Sequence, residues 1–526
     1  MSDTSDQRSC EYLRISAQFK LGSLVTESSH PVTAHLSEVA KTDIPKALDL
    51  LFQVDADVVA KYREFAESGN AVAISNAVIA ALQAGGRIFL TGCGSTGRLS
   101  IQLVALWRDY WQRQAASGLV DSDLARNMEQ RAISIMAGGD FALIKSVEGF
   151  EDYAALGKQQ MADSAVSAKD VVFAITEGGE TSFVIGTVWK AVEAGARIYF
   201  VYNNPDEALC SIVERSREVI EDERIEKINL TTGPMAITGS TRMQATTIQF
   251  CVLVTILEMA VRGSTGGAGA VSGEFLTHLA TLNTELRSGA ILSQLARLVA
   301  LEESIYRGGG RNNYYADRFA MDVLTDTTER SPTYCTPAFR KWDDSNAADS
   351  WAFLFRPEAD TSIAWERLLK RTPQCIEWKE SELENLPGDV GFERWREILR
   401  KISRPELHRF RIGLDGLSCR PAKDGDSAIG ICSGAEAEQM LLPGGFLRTQ
   451  LDTARAAGAN TGLLCFGDVD ESIQKIDSGL AGPGCARPDG LAVCIPVPQT
   501  GFRLDGLTHV AVKTVLNALS TCVMVR

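Results

Sequence analysis

Residues 87–100 read RIFLTGCGSTGRLS. Ile88, Phe89 and Leu90 form a short apolar run of the kind found in buried strands. Gly92, Gly94 and Gly97 then break it, with Ser95 and Thr96 between them, and IQLVALW continues with helical character. A strand, a glycine loop carrying hydroxyls and a helix together make an anion cradle. Backbone N–H groups and the helix N-terminus face the anion, and the hydroxyls add further bonds. The spacing also fits G-x-G-x-x-G, the dinucleotide pattern. A dinucleotide site needs an acid about 20 residues further on. Here the acid after the next strand-like run is Asp140, 43 residues past Gly97. That disfavours the dinucleotide reading, and a purely structural strand-to-helix turn stays open beside a sugar-phosphate pocket.

Two further loops favour the pocket. TEGGETS (176–182) follows the apolar run VVFAI, and TGSTRMQATT (238–247) precedes the apolar stretch FCVLVTILEMAV. Ser and Thr in such places cap a first helical turn. Three hydroxyl-rich loops in one α/β unit suggest convergence on one polyhydroxylated, anionic ligand, because such loops gather beyond the carboxyl ends of parallel strands.

The chain has 526 residues, enough for two or three domains with full cores. A net charge of −14 argues against nucleic-acid binding, since no basic surplus is available to neutralise phosphates. Twelve cysteines are scattered without a C-x-x-C pair, and only five histidines occur, so no metal site is expected. Reduced, buried thiols in a cytosolic protein are the simplest account. The N-terminus lacks a secretory h-region, and the longest apolar stretch is cut by Glu258 and Arg262, so no membrane partner is expected.

Residues 1–20 read as a flexible polar tail, and residues 36–83 as helices with apolar positions three and four apart. Strand candidates at 87–91, 132–136, 171–175 and 197–202 alternate with helices, as in a parallel sheet covered on both faces. GSTGGAGAVSG (263–273) is the best boundary. A second α/β pattern follows, with candidates at 351–355, 428–432, 462–466 and 491–496. The helix IQFCVLVTILEMAVR can be laid on the last one, VKTVLNALSTCVMVR, at a shift of 264 residues. Gly308, Gly309 and Gly310 then read as the second copy's glycine turn.

LGSLVTESSHPVT (21–33), LTGCGSTGRLS (90–100), IMAGGDFALIKSVEGFED (135–152) and GPMAITGSTRMQATT (233–247) resemble, as a set, the sugar isomerase (SIS) domain family. The resemblance is to the group holding N-acetylmuramic acid 6-phosphate etherases and glucokinase regulatory proteins. TDTTERSPTY (325–334) and VKTVLNALST (512–521) carry a fainter likeness in the second half. The resemblance implies an α/β fold with two tandem SIS domains. Each is a parallel sheet flanked by helices in a flavodoxin-like, three-layer arrangement, and the two form a pseudo-dimer behind an N-terminal helical segment. The expected parts are a tail (1–20), a first domain with its helices (21–262), a linker (263–273) and a diverged second domain (274–526). The chain stops at Arg526 inside what resembles the last-domain helix, so the C-terminal helical domain of the regulatory members is expected to be missing, or the chain truncated.

The resemblance further implies a sugar-phosphate ligand and no cofactor. Its contacts would be Gly94, Ser95, Thr96 and Gly97 in the first loop, Thr176, Gly178, Gly179, Thr181 and Ser182 in the second, and Ser240 and Thr241 in the third. In the etherases a base takes the C2 proton and an acid protonates the departing lactate. The base matches Glu151. The acid's place in the first half is held by Leu106, while Glu329 of the second half sits in a similar context. Gln249 likewise stands where the pattern has Lys, and Lys513 takes that place in the second copy. Gln244, Met235 and Glu180 depart from the pattern, and Glu180 is expected to repel a phosphate. Two functions follow. One is a sugar-phosphate sensor regulating carbohydrate metabolism, with a hexokinase-type protein partner. The other is an etherase using Glu151 as base and Glu329 as acid.

Overall fold

Ten short strands build two five-stranded, all-parallel sheets in the computed structural model, which describes residues 21–147, 149–263, 270–328, 339–379, 382, 392–467 and 491–526. The first holds β1 (Ile88–Gly92), β2 (Ala132–Met136), β3 (Val171–Ile175), β4 (Arg197–Tyr202) and β5 (Ile225–Asn229), in the order β2-β1-β3-β4-β5. The second holds β6 (Asn312–Ala316), β7 (Ala352–Phe355), β8 (Ser427–Ser433), β9 (Asn460–Phe466) and β10 (Leu491–Ile495). Its order from one edge is β7-β6-β8-β9-β10, the first order repeated strand for strand. This is the flavodoxin-like arrangement, in which ligands bind where the chain reverses direction across the sheet, beyond the first and third strands. Those positions are the ends of β1 and β3 in one sheet and of β6 and β8 in the other. The two tandem α/β units expected from the sequence are present.

The helices that position the site are α1 (Ile44–Val54), α2 (Ala56–Glu67), α3 (Asn70–Gln83), α4 (Gly94–Ala116), α5 (Ser182–Glu193), α6 (Gln244–Gly263), α7 (Val271–Leu286), α8 (Gly289–Arg307), α9 (Ala320–Thr328), α10 (Thr361–Leu369), α11 (Phe392–Lys401) and α12 (Gly506–Val525). The repeated sequences are the helices after each sheet's last strand, α6 and α12, and they pack against each other. Both are long and apolar enough to cross a membrane, yet the apolar stretch of α6 is wholly buried in protein. Glu258 does not end α6. Its carboxylate is buried and satisfied by the Arg503 and Leu504 backbone N–H groups at 2.9 Å each and by Arg262 at 2.7 Å. Around this pair, α2 and α3 pack on α6, while α7 packs on α2, and α8 on α1 and α12.

Two strands escaped the sequence reading. β5 (IEKIN) is an edge strand with only Ile225 and Ile228 turned inward. β6 (NNYYA) is central and fully buried, although asparagine is depleted in strands. Its asparagines are held by side chains: Arg420 Nε donates to Asn313 Oδ1 at 2.6 Å, and Ser427 Oγ to Asn312 Oδ1 at 3.1 Å. The glycine turn at 308–310 also differs from expectation. It precedes β6, at the opposite end of the strand from the ligand loops, and matches Gly85–Gly86 before β1. A Cβ at Gly310 would meet the Gly425 carbonyl at 2.1 Å, and one at Gly86 the Lys169 carbonyl at 2.0 Å. These glycines let one loop press on the next. The expected tail, linker residues 264–269 and Glu329 lie outside the described residues.

Gly310→Ala forces that carbonyl contact apart. The expected cost is about 1–3 kcal/mol, the range for overpacking a close contact. It is read as an earlier urea transition; an unchanged midpoint would contradict the packing described.

Candidate functional site

The first loop is a compact turn between β1 and α4. The Thr96 hydroxyl donates to the Cys93 carbonyl at 2.9 Å and accepts from the Cys93 N–H at 3.0 Å. That hydroxyl is therefore committed to the turn. Gly94 adopts φ +55°, and a Cβ at Gly97 would meet Met136 Cγ at 2.6 Å. The loop thus delivers the first turn of α4, whose leading N–H groups have no intrahelical acceptor, to the end of the sheet.

The second loop closes on itself. Thr176 Oγ1 accepts from the Gly179 N–H at 3.2 Å and shares a hydrogen bond with the Thr181 hydroxyl at 2.9 Å. Gly178 lies within this turn, Gly179 adopts φ +80°, and Ser182 opens α5. Glu180 is paired: Arg215 Nη2 donates to its Oε2 at 2.6 Å. The repulsion expected of Glu180 is offset by this guanidinium.

The third loop is braced from inside. Gln244 accepts from the Ala236 N–H and donates to the Pro234 carbonyl, both at 2.9 Å, which accounts for a buried amide at that place. Met235 is buried and is bonded through its backbone to Ser28 and His30. Gln249 turns back into its own half, donating to Asn203 Oδ1 at 2.5 Å. Ser240 and Thr241 lead into α6, and the Thr246 hydroxyl lies 3.0 Å from both the Thr241 carbonyl and Glu177 Oε1. Glu177 is a buried carboxylate that the sequence reading passed over, although it stands inside TEGGETS. The stretch 21–33 packs over these loops: Asn204 Nδ2 donates to Thr26 Oγ1 at 3.0 Å and to the Gly178 carbonyl at 2.9 Å.

Glu151 sits beside the first two loops. Cys93 Sγ donates to its Oε2 at 3.8 Å, and its carbonyl accepts from the Phe183 N–H at the start of α5 at 3.0 Å. Partial burial, with the Asp152 and Glu180 carboxylates adding to it, raises the Glu151 pKa above the ordinary range. The second half steadies this turn. Phe150 stacks on Trp378 and meets Trp395 of α11 edge-on, with ring centroids 6.2 and 5.8 Å apart.

A narrow cleft runs between the halves. Ser95, Arg98 and Gln102 of α4 line one wall with Arg242, and Asp326 of α9 and Lys513 of α12 line the other. Its room is about 30 Å³, so the walls lie close together where the halves meet. Arg242 crosses the junction, donating to Asp326 Oδ1 at 2.8 Å, Asn517 Oδ1 at 3.1 Å, Ser520 Oγ at 3.1 Å and Thr521 Oγ1 at 3.1 Å. Lys513 Nζ reaches the Arg242 carbonyl at 2.7 Å and Thr247 Oγ1 at 2.9 Å. Burial, reinforced by Arg242, lowers the Lys513 pKa to about 8. Burial pushes the Asp55 carboxyl up to about 7, with Lys513 opposing the rise. Ser95 and Lys513 thus share this cleft. Leu106 does not: it turns to a second cleft lined by Asp109, Arg113 and Arg356.

The glucokinase regulatory protein N-terminal SIS domain matches residues 71–192. The N-acetylmuramic acid 6-phosphate etherase of Clostridioides difficile is 31% identical over 246 residues, covering 46% of this chain and 71% of that protein. The etherase of Gloeobacter violaceus is 31% identical over 328 residues, covering 60% of this chain and 91% of its own length. This chain belongs to the SIS-domain family. Within it, the chain falls in the group of N-acetylmuramic acid 6-phosphate etherases and glucokinase regulatory proteins. The chain carries the α/β unit twice.

Two outcomes are expected. Arg242→Met strands the buried Asp326 carboxylate, which costs about 3–5 kcal/mol. Adding Asp326→Asn recovers part of it, so denaturant midpoints that fall additively would contradict the pairing. Asp55 holds its proton better folded than unfolded, where its pKa is about 3.9. Its contribution is therefore full below that value and is lost as pH rises to about 7. Across that window the wild type should lose stability relative to Asp55→Asn; a constant difference would refute the assignment.

Proposed function

We propose that this chain binds a hexose 6-phosphate or amino-sugar 6-phosphate between its halves and acts as a sensor that regulates carbohydrate metabolism. The observation carrying this reading is the shared cleft: Ser95 and Arg242 come from one half, Asp326 and Lys513 from the other. The cleft is narrow, and a sugar phosphate would bind best to an arrangement in which its walls stand further apart. Gly94, Ser95, Gly97, Gly178, Gly179, Ser182, Ser240 and Thr241 lie on the loops that would surround the ligand, and Thr96, Thr176 and Thr181 hold those loops in shape. Lys513 supplies a compact point charge for phosphate or a sugar oxygen. The altered junction would then be presented to a protein partner, of which a hexokinase-type enzyme is the family's example.

Glu151 favours a second reading, the etherase reaction for which the relatives are named. A carboxylate with a raised pKa beside the first loop suits a general base near neutral pH. It would take the C2 proton, an acid would protonate the lactyl oxygen as the C3–O bond breaks, and water would add to the resulting double bond. The residue proposed as acid is Glu329. Leu106, an apolar side chain at the first half's equivalent place, supports the sensor reading over this one.

Calorimetric titration with N-acetylmuramic acid 6-phosphate, run beside a lactate-release assay, separates the two. The sensor reading expects saturable binding by wild type and Glu151→Gln, with no lactate from either. Lactate release that disappears in Glu151→Gln replaces it with the etherase reading. Absence of binding to this and to glucosamine 6-phosphate overturns both.

A further inference from the structure

A second cleft opens beyond the ends of β6 and β7. This cleft is roomier than the first, about 240 Å³. Its walls come from both halves: α4 on one side, and the segments following β6, β7 and α10 on the other. The turn after β6 reads Asp317-Arg318-Phe319, with neither glycine nor hydroxyl, so no backbone cradle forms here. Cationic side chains take its place. Arg113, Arg318, Arg356, Arg367 and Lys370 converge on the cleft, against the carboxylates of Asp109, Asp317 and Asp322. With Glu358 and Asp505 beside them the charges nearly balance, and Arg367 is the cation of this group that has no carboxylate partner among the described residues.

The carboxylates are already engaged. Asp109 pairs with Arg113 at 2.7 Å and with Lys370 at 2.8 Å. Asp317 accepts from Arg356 at 2.7 Å. Asp322 bonds Gln102 at 2.6 Å and His509 at 2.9 Å. Arg356 is almost wholly buried and is held by Asp317 and Glu358, so its position is set before any ligand arrives. Arg318 pairs with Asp505 at the cleft mouth. Arg367 is exposed and makes no hydrogen bond or ion pair with a described residue. Arg367 can offer two N–H groups to a doubly charged oxyanion, and Arg356, whose Nε, Nη1 and Nη2 already donate to Asp317 and Glu358, adds a fixed positive charge beside it.

We infer that the cleft beside β6 and β7 is a second anion site, taking inorganic phosphate or a small phosphate monoester independently of the cleft holding Ser95 and Lys513. Equilibrium dialysis of the whole chain against radiolabelled inorganic phosphate tests it. Arg367→Glu should carry one phosphate fewer per chain at saturation than the wild type, and Arg367→Lys should retain it. Ser95→Ala should leave this phosphate in place, so loss of the first site is read separately. Arg318→Gln should weaken the same phosphate at least tenfold. No phosphate on the wild type, equal stoichiometry in Arg367→Glu, or loss of the same phosphate in Ser95→Ala would overturn the inference.

Discussion

The ion pair between Arg242 and Asp326 is one that neither half of the chain can make alone. Arg242 ends the third loop of the first unit, and Asp326 lies on α9 of the second. Both side chains are nearly inaccessible to water, and removing either would leave a buried charge without its counterpart. The rest of the junction is arranged around that constraint. Asn517, Ser520 and Thr521 accept from the two terminal nitrogens of the guanidinium, and Lys513 caps the Arg242 carbonyl. The third loop therefore takes its shape from the second half as much as from its own sheet.

The two units share a topology and have diverged in the turns that follow their strands. The first keeps glycine turns, where the backbone approaches closely and N–H groups lead. The second has no glycine in the turn after β6, and arginines gather beyond β6 and β7. Each cleft borrows a wall from the opposite unit: α9 and α12 serve the first, and α4 serves the second. Gln102 and Asp322 line both clefts and are bonded to each other. The clefts thus meet along a single hydrogen bond between residues of the two units.

Much of this was legible in the chain. Apolar runs followed by glycine loops gave β1, β3 and the ligand-side loops, because strand burial and tight turns leave strong local signals. β6 gave none: the side-chain oxygens of its asparagines accept from Arg420 and Ser427, which lie more than a hundred residues away. The glycine run at 308–310 was read as a ligand turn for a related reason. Glycine marks close backbone approach at either end of a strand, and only the strand's position tells which. Glu180 looked hostile to phosphate until Arg215, from another helix, was found beside it. The family resemblance located Glu151, but not the aromatic clamp from Trp378 and Trp395 that steadies its turn.

The sequence by itself determined the parallel α/β class, the doubling of the unit, the hydroxyl-rich loops and the family, since each rests on residues within a few turns of one another. The tertiary structure alone decided which side chains face each other across the junction. It turned Leu106 away from the first cleft, brought Lys513 into it and set Arg242 against Asp326. Those outcomes depend on strand order and on the packing of α6 against α12, which join residues some 270 positions apart. No local window carries that information, because burial and pairing at such distances are properties of the folded whole.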